Sequence, residues 1–322
     1  MSRVIYNKDM KQKEIICILG GSGFVGTELC AHLIKEGYGI KVVSRNVLNC
    51  RHLLIFPALS VHQIQNYSTD QIAKHLNGCT TLINLIGILN ERKNNGKQFH
   101  EVHVGITRSA LQACEQTNVT RMLQMSALNA DPNGPSYYLQ SKGKAENYLM
   151  AFSKDRVNVT IFKPSVIFGP KDSFLNRFAN LLKVFPIAFP LACADARFAP
   201  VYVGDIVKSM TESIHDKATF NESYNLCGPD IYTLKQLVEY TAKLCGISCR
   251  VICLPMFLSK LQASIFEYLP GKPFSKDNYK SLKIDSVCPE GNTCDTSLEA
   301  IAPMYLAKKS ALNLDRFRSV RR

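Results

Sequence analysis

The 322-residue sequence predicts an α/β protein with a doubly wound parallel sheet and a smaller C-terminal α/β lobe. Two observations support this prediction. From residue 14 to about residue 170, short apolar runs alternate with helix-length segments, which is the order of right-handed β-α-β units. A glycine-rich segment also lies between the first apolar run and the first helix, as it does in sheets that bind nucleotides.

The predicted strands of the first region are short apolar runs, each bounded by turn residues or by a helix-length segment. They are residues 15–19, 40–44, the weaker 59–64, 80–88, 121–126 and 159–165. The helices between them include residues 27–36, 69–77, 100–117 and 138–152. Beyond residue 170 the pattern loosens and predicts, in order, helix 173–184, a Pro-rich loop, strand 200–203, helix 205–215, strand 223–226, helix 233–245, strand 249–254 and helix 255–268.

The chain is therefore expected to contain a flexible N-terminal extension (1–13), a dinucleotide-binding domain (14–170), a smaller lobe (171–310) and a basic tail (311–322). Within the lobe, residues 199–230 are expected to return to the sheet of the first domain. The lobe should cover the carboxyl ends of the strands, where sheets of this kind bind their ligands.

The composition is that of an ordinary globular protein, with 46% hydrophobic and 20% charged residues. No apolar stretch reaches the ~20 residues of a membrane-spanning helix. The N-terminal residues lack an apolar core and include Asp9 and Glu14, so the protein is expected to be cytoplasmic. The net charge of +13 favours an anionic partner, which could be a phosphorylated cofactor, a lipid headgroup surface or an acidic protein. Nucleic acid is disfavoured because the basic residues are dispersed.

The twelve cysteines are expected to be reduced thiols, because the chain shows no secretory signal. No C-x-x-C pair occurs, and Cys245, Cys249 and Cys253 are expected to be buried apolar side chains. The histidines at 100 and 103 lack the H-E-x-x-H spacing of a zinc site. No metal is therefore expected.

The segment 15–26 (IICILGGSGFVG) has the order strand, G-x-x-G-x-x-G, helix. Gly20 permits the tight turn, Gly23 lets backbone N–H groups approach phosphate, and Gly26 lets the helix pack closely on the sheet. The sequence therefore predicts a Rossmann-type site for a dinucleotide pyrophosphate. Its contacts would come from Gly20, Gly21, Ser22, Gly23, Phe24, Val25 and Gly26.

The second predicted strand ends in Ser44 and Arg45. A site for NAD(H) usually carries an acidic residue there, which holds the ribose 2′-hydroxyl, whereas an arginine accommodates a 2′-phosphate. Ser44 could add a hydroxyl hydrogen bond and Arg45 a charge-assisted one. NADP(H) is therefore favoured over NAD(H), although a surface arginine with no ligand stays an alternative.

Tyr138 and Lys142 are one helical turn apart in the predicted helix after the fifth strand. An ammonium group beside a phenol is expected to lower the pKa of the phenol, and the lysine could also hold a ribose. This pair is the candidate acid–base machinery.

Gly20-x-x-Gly23-x-x-Gly26, Tyr138-x-x-x-Lys142 and the segment 163–170 (KPSVIFGP) together resemble the extended short-chain dehydrogenase/reductases, which include sugar-nucleotide epimerases and dehydratases. The chain is more similar to an atypical branch, the nucleotide-binding accessory subunit of respiratory complex I and its bacterial relatives. The similar stretches are 84–89, 125–128, 164–170 with 174–178, and 197–205, and the likeness spans about residues 14–285. The resemblance implies further cofactor contacts from Gln63, Leu85, Ile86, Gly87, Lys163 and Pro164.

The same resemblance identifies departures from an active enzyme. Ala127 occupies the position of the hydroxyl that would polarise a substrate carbonyl, and Ser126 lies one residue away, on the other face of a strand end. His103 stands where an Asn usually joins the proton relay, and Gln63 replaces an Asp that often meets adenine. Loss of a single preorganised donor can lower a rate by ~10²–10³. The cofactor cradle is therefore expected to be intact and the chemistry impaired.

Three hypotheses follow. The chain could hold a structural or sensory nucleotide and work with a respiratory quinone-reducing complex, or with quinone metabolism, at the inner face of a membrane. It could instead be an active reductase, epimerase or dehydratase in which Tyr138 is the acid–base group, Lys142 its electrostatic partner, and Ser126 or a water replaces the missing hydroxyl. It could also be a scaffold for an acidic protein or membrane. Independently of these hypotheses, the apolar residues of the helix predicted over 255–268 and of its end are expected to pack within the lobe, with a surface that faces lipid or quinone as the alternative. They are Phe257, Leu258, Leu261, Ile265, Phe266 and Leu269.

Overall fold

The computed structural model describes residues 14–153, 156–185, 187–267, 274–291 and 293–307. The predicted extension (1–13) and basic tail (311–322) lie outside the described residues. The chain divides into two compact units. The first comprises the described residues of 14–164 and 203–225, and the second those of 165–202 and 226–307.

The strands in chain order are β1 (Ile15–Leu19), β2 (Gly39–Ser44), β3 (Leu59–Gln63), β4 (Thr81–Asn84), β5 (Arg121–Met125), β6 (Asn158–Pro164), β7 (Ile167–Phe168), β8 (Ala188–Leu191), β9 (Arg197–Phe198), β10 (Val201–Tyr202), β11 (Glu222–Leu226), β12 (Tyr232–Thr233) and β13 (Arg250–Cys253). The helices are α1 (Phe24–Lys35), α2 (Thr69–Leu76), α3 (Lys97–Phe99), α4 (Ile106–Thr117), α5 (Tyr137–Phe152), α6 (Leu175–Val184), α7 (Val203–Glu212), α8 (Leu234–Leu244), α9 (Met256–Phe266), α10 (Lys276–Ser281) and α11 (Leu298–Leu306). A π-helical turn, His100–Gly105, joins α3 to α4.

The first unit is built on a seven-stranded sheet with the order β3-β2-β1-β4-β5-β6-β11. Adjacent strands from β3 to β6 are parallel, with Ile18 in register with Val42 and with Ile83. The strand order reverses at β1, because β2 and β3 lie on one side of it and β4 on the other. Ligands of such sheets bind at this reversal, outside the carboxyl ends of the strands. The predicted doubly wound fold is confirmed.

Helices cover both faces of this sheet. The cluster beneath α2 and α4 includes Cys17, Leu82, Ile72 and Leu111, all of them buried, and α1 packs with α7. A parallel sheet is stable in water only when both of its faces are covered, which is why β1 is apolar along its whole length and every residue of β4 is buried.

Arg121 attaches the segment after α7 to this sheet. It begins β5 and is 5% exposed. Its guanidinium donates to the carbonyl oxygens of Ser213 and Ile214. It also donates to the hydroxyl groups of Thr160 and Thr219. These bonds satisfy buried polar groups of a segment that lies about 90 residues further along the chain.

The second unit contains short strand pairs and a separate apolar core. β7 pairs with β10 and β8 with β13 in parallel, and β9 pairs with β12 antiparallel. The core joins α6, α8 and α11 and includes Phe168, Leu182, Leu237 and Ala302. Across the described ranges, no helix combines the length and the hydropathy that crossing a bilayer requires.

The cysteines of the second unit differ from the prediction in two respects. Cys227 and Cys288 form a disulfide, so the expectation of uniformly reduced thiols is wrong. Cys253 is exposed because three of the four residues of β13 face solvent. Cys245 at the C-cap of α8 and Cys249 just before β13 are only half-buried, because both lie at element ends. The prediction that these three side chains are buried is therefore also wrong.

Several element boundaries also differ from the prediction. The strand predicted over 80–88 ends at Asn84, whose side-chain oxygen accepts the N–H of Ile86 and turns the chain away from the sheet. The Pro-rich loop predicted after residue 184 contains β8, in which Pro190 is in register with Ile252. A proline is tolerated there because the sheet has only two strands.

Candidate functional site

The carboxyl ends of the strands bring the predicted site residues to one edge of the sheet. Gly20 follows β1, Ser44 ends β2, Gln63 ends β3 and Asn84 ends β4. Ser44 and Gln63 are paired in register. Parallel strands end at the same edge, so residues far apart in the sequence share one surface of the first unit.

The glycine-rich turn is shaped by close contacts between backbone segments. Gly20 has φ +85°, and the N–H of Gly23 donates to its carbonyl oxygen at 3.1 Å. A Cβ at Gly26 would clash with the Gly20 oxygen and lie 2.6 Å from the Gly21 Cα. A Cβ at Gly21 would lie 2.8 Å from a methyl carbon of Val42. Side chains are thus excluded where α1 meets β1 and β2.

The start of α1 is suited to a phosphate. Gly23 is its N-cap and has no side chain with which to cap the helix. Ser22 precedes it in the turn, and Phe24 and Val25 begin the helix. The N-terminal N–H groups and the positive end of the helix dipole favour an anion at this position.

Arg45 lies just after β2 and is exposed. Its guanidinium carbon is 5.4 Å from the centre of the Tyr67 ring, a separation typical of a cation–π contact. The Ser44 hydroxyl donates to the carbonyl of Asn46 at 3.1 Å and accepts the Asn46 N–H. The positive charge of Arg45 is thus held at the end of β2, as the interpretation of Arg45 as a 2′-phosphate ligand requires.

The chain after β4 passes between the glycine-rich turn and α5. A Cβ at Gly20 would lie 3.1 Å from the carbonyl carbon of Leu85 and 3.2 Å from the nitrogen of Ile86. A Cβ at Gly87 would lie 3.3 Å from Lys142 Nζ and 3.5 Å from His103 Nε2. The predicted contacts Leu85, Ile86 and Gly87 therefore connect the candidate phosphate site to the candidate acid–base pair.

His103 lies in the π-helical turn and is 2% exposed. The N–H of Ile88 donates to its Nε2 at 3.1 Å, so Nδ1 carries the proton and donates to the Ser141 hydroxyl at 2.8 Å. Ser141 in turn donates to the Tyr138 carbonyl oxygen. Burial, and secondly the charge of Lys142, lower the pKa of His103 to about 2. His103 is therefore a neutral imidazole whose two ring nitrogens are both engaged.

Tyr138 and Lys142 lie on α5, which Ser136 caps by accepting the N–H of Leu139. The Tyr138 ring packs edge-on against Phe99 and His103, with centroid separations of 6.0 and 5.6 Å. Burial raises the pKa of Tyr138 to about 12. The expectation that Lys142 lowers the pKa of this phenol is therefore wrong, because the cost of burying the phenolate dominates.

Lys142 is buried, and its Nζ donates to the Met125 carbonyl oxygen at 3.1 Å. Burial lowers the pKa of Lys142 to about 8, and the nearby carboxylate of Glu146 opposes that effect. The ammonium group is thus fixed at the end of β5, next to Gly87. An ammonium group has three N–H donors, so bonds beyond the one to Met125 remain for a ligand, as the predicted contact with a ribose hydroxyl requires.

Ser126 and Lys163 meet at Glu146 rather than at Tyr138. The Ser126 hydroxyl donates to one carboxylate oxygen of Glu146, and Lys163 Nζ lies 3.1 Å from the other. Ala127 is buried and has no hydroxyl, and Pro164 ends β6. Sequence reasoning missed Glu146, although its position four residues after Lys142 on a predicted helix is a usable signal.

A polar network inside the sheet was also not predicted. The Asn84 side chain donates to Gln124 Oε1 at 2.9 Å, and the Thr107 hydroxyl lies close to both of them. These groups satisfy one another in the core and fix the direction in which the chain leaves β4. Within the described ranges, no three His, Cys, Asp or Glu side chains come together as metal ligands would.

Residues 16–227 match the model of the NAD dependent epimerase/dehydratase family. Mouse NADH dehydrogenase (ubiquinone) 1 alpha subcomplex subunit 9, mitochondrial, is 29% identical over an alignment of 319 positions that covers 95% of this chain and 81% of the mouse protein. The Arabidopsis thaliana protein of the same name is 25% identical over 279 residues, and the match covers 85% of this chain and 68% of the Arabidopsis protein. The predicted likeness to this subunit is confirmed.

Solved structures show the same fold. The dTDP-glucose 4,6-dehydratase DesIV from Streptomyces venezuelae, with NAD and TYD bound, superposes with a TM-score of 0.69 at 17% identity, and the match covers 91% of this chain and 95% of that one. The Thermus thermophilus UDP-glucose 4-epimerase complex with NAD superposes with a TM-score of 0.62 at 15% identity. The match covers 84% of this chain and 99% of the epimerase chain.

The neutral state of His103 predicts a pH dependence of stability. Since the pKa of His103 is lower in the folded chain than in the unfolded chain, the unfolded chain takes up a proton first as the pH falls. The stability of the wild type should therefore decline relative to His103→Asn by about 1.4 kcal/mol per pH unit below about pH 6.5. Urea unfolding between about pH 7 and 4.5 measures the difference. The exposed neighbour variant His100→Asn should follow the wild type, and parallel curves for wild type and H103N would contradict the assignment.

Proposed function

Because the chain belongs to the NAD dependent epimerase/dehydratase family, we propose that it binds NADP(H) as a structural or sensory group and does not use it in steady turnover. The observation that carries this proposal is a contrast between two groups of residues at the carboxyl edge of the sheet. The glycine-rich cradle is complete, whereas the neighbouring groups that would move a proton are replaced or occupied.

The cradle fits a dinucleotide pyrophosphate. Side chains are excluded at Gly20, Gly21 and Gly26, and the uncapped start of α1 faces the same edge of the sheet. In this proposal Lys142 and Tyr138 hold the nicotinamide ribose, and Lys163 and Pro164 lie at the end of β6 beside it. Gln63 takes the position of the adenine contact. When bound, the nicotinamide would supply hydride chemistry.

The proton-transfer groups are poorly suited to turnover. Ala127 offers no hydroxyl to a carbonyl oxygen, and the Ser126 hydroxyl is committed to Glu146. The proton of Tyr138 is held tightly, since its pKa is about 12. His103 accepts the Ile88 N–H and cannot pass on a proton through that nitrogen without breaking the bond. Each replacement lowers the rate of an acid–base step and leaves the nucleotide contacts in place.

The mouse and Arabidopsis relatives are named as subunits of NADH dehydrogenase (ubiquinone). We propose that this chain likewise associates with a respiratory NADH:quinone oxidoreductase, at the inner face of the membrane that carries the complex. A bound nucleotide that is not turned over would stabilise the first unit while that association lasts.

The purified full chain should carry NADPH or NADP⁺ in near-stoichiometric amount, which mass spectrometry identifies after denaturation. With a short-chain quinone or a UDP-sugar as acceptor, the absorbance of NADPH should show no steady decrease. The alternative, an active reductase, epimerase or dehydratase, requires turnover that Tyr138→Phe abolishes while nucleotide affinity is kept. Steady turnover with this response would overturn the proposal, and so would a protein that holds neither coenzyme.

Arg45 is proposed to select the phosphorylated coenzyme. Replacing Arg45 by Gln removes a charge-assisted bond to the 2′-phosphate, which is worth about 1.5–3 kcal/mol. The dissociation constant for NADPH should rise about tenfold or more, whereas that for NADH should not change, as measured by calorimetry on nucleotide-stripped protein. The exposed variant Arg51→Gln is the matched control. Equal effects of R45Q on both coenzymes would contradict the assignment.

An exposed apolar surface on the second unit favours a membrane contact. Phe257 is 71% exposed, and Leu261, Val184 and Ile187 are also exposed, so these side chains are not packed within the lobe. The elements are joined, since Gln262 of α9 donates to the Pro190 carbonyl of β8. Lys183 on α6, Lys260 on α9 and Arg250 on β13, the partner strand of β8, are also exposed. Ile265 and Leu269 lie outside the described side chains. Apolar groups beside cations suit a bilayer that contains anionic lipid.

Vesicles that contain phosphatidylglycerol should carry the full chain upwards in a flotation assay. Replacing Phe257 and Leu261 together by Ser should reduce the floated fraction severalfold, because the apolar contact is lost. The control pair is Leu48 and Leu54, exposed residues of the first unit. High salt should weaken binding through screening. Equal flotation of the two double variants would show that this surface does not contact lipid.

A further inference from the structure

Tyr67 lies in the turn between β3 and α2, at the edge of the sheet that carries the glycine-rich turn. The N–H of Ile64, the first residue after β3, donates to the carbonyl oxygen of Ser44 at 3.0 Å. The Asn66 side chain accepts the N–H of Ser68, the N-cap of α2, at 3.0 Å. These bonds hold the turn that carries Tyr67 against the end of β2 and the start of α2.

The Tyr67 ring is itself anchored. It is half-buried and packs against the core beneath α2, which includes Ile64 and Ile72. Burial raises the pKa of Tyr67, and the charge of Arg45 opposes that effect. The ring is therefore a neutral phenol at pH 7, and its π face can accept a cation. A ring held in this way is a fixed platform beside the end of β2.

The charge of Arg45 rests on this platform and has no carboxylate beside it. The side chain is exposed, and its guanidinium carbon lies 5.4 Å from the centre of the Tyr67 ring. Residues 37–69 include no Asp or Glu, and none of the ion pairs within the described ranges includes Arg45. A guanidinium that stacks on a ring keeps the N–H donors in its plane. Those donors therefore stay available to a phosphate.

We propose that Tyr67 is a positioning residue that acts through Arg45 and sets the preference for a coenzyme with a 2′-phosphate. This inference rests on the proposed binding of NADP(H). An exposed arginine without such a platform loses more rotamer freedom when it binds a ligand. A carboxylate would also hold the guanidinium, but it would compete with the phosphate, whereas an aromatic face does not. NADH has a hydroxyl group in place of the phosphate, so the effect of Tyr67 should be confined to NADPH.

Calorimetry on the nucleotide-stripped full chain, with NADPH and NADH as probes, tests this inference. Tyr67→Leu should raise the dissociation constant for NADPH about three- to fivefold, the range expected for an exposed cation–π contact. The dissociation constant for NADH should not change. Tyr67→Phe keeps the ring face and should bind NADPH as the wild type does. The matched control is Tyr38→Leu, at a half-buried tyrosine before β2 whose ring stacks on His215. It should alter neither constant.

The double variant R45Q/Y67L separates a positioning role from a structural one. If Tyr67 acts through Arg45, Y67L has no further effect on NADPH binding once Arg45 is replaced by Gln. A structural role would raise the dissociation constants of both coenzymes, and that effect would persist in the R45Q background. If Y67L impairs folding, Tyr67→Gln takes its place in the same cycle, because a polar side chain is suited to a half-exposed position.

Three results would overturn the inference. They are an equal rise of both dissociation constants in Y67L, an effect of Y67L that persists in R45Q, and an unaltered dissociation constant for NADPH in Y67L. In each of these cases the wild type still binds NADPH through Arg45, so the proposed function stands. A wild type that binds neither coenzyme would instead contradict the proposed function itself, and the two failures are thus distinguishable.

Discussion

The close approach of α1 to the turn after β1 is the constraint on which the rest of the candidate site depends. At Gly20, Gly21 and Gly26 the backbone itself is the contact surface, and a Cβ would meet backbone atoms or Val42. Because nothing lies between helix and sheet, the first turn of α1 stands at the carboxyl edge of β1. The segment 85–87 then passes directly over Gly20. A larger residue at Gly26 would move the helix end by the width of a side chain, and the N–H groups would no longer point to one place.

The parts of the fold that the sequence predicts well are those with a local cause. The strands β1 to β6 follow from short runs rich in apolar residues, although the run over 80–88 is longer than β4, and the turn at Gly20 follows from glycine spacing. What the pattern could not predict depends on partners distant in the chain. Pro190 lies in a strand only because β13 pairs with it. The Cys227–Cys288 disulfide joins residues 61 positions apart, and sequence alone cannot pair twelve cysteines.

The candidate site also has features that the sequence predicts and features that depend on residues distant in the chain. The positions of Gly20, Arg45, Tyr138 and Lys142 follow from motif and strand order. Their electrostatics do not, because burial decides them. The i, i+4 spacing of Tyr138 and Lys142 suggests an acidic phenol, yet the packing of Phe99 and His103 around the ring has the opposite effect. The bond from His103 to Ser141 spans 38 residues and depends on the π-helical turn, which has no clear sequence signal.

The neutral state of His103 and the charge of Lys142 are physically linked. A Cβ on Gly87 would touch both side chains, so the two groups share one small buried space. A second positive charge there would be repelled and poorly solvated. Either the lysine at the end of β5 or the histidine can carry a positive charge. Charging both would raise the free energy of the folded chain. Holding an anionic coenzyme requires the charged lysine, whereas a proton relay through this position requires that the histidine be protonated during the reaction. The arrangement thus suits the proposed retention of a nucleotide better than it suits chemistry on that nucleotide.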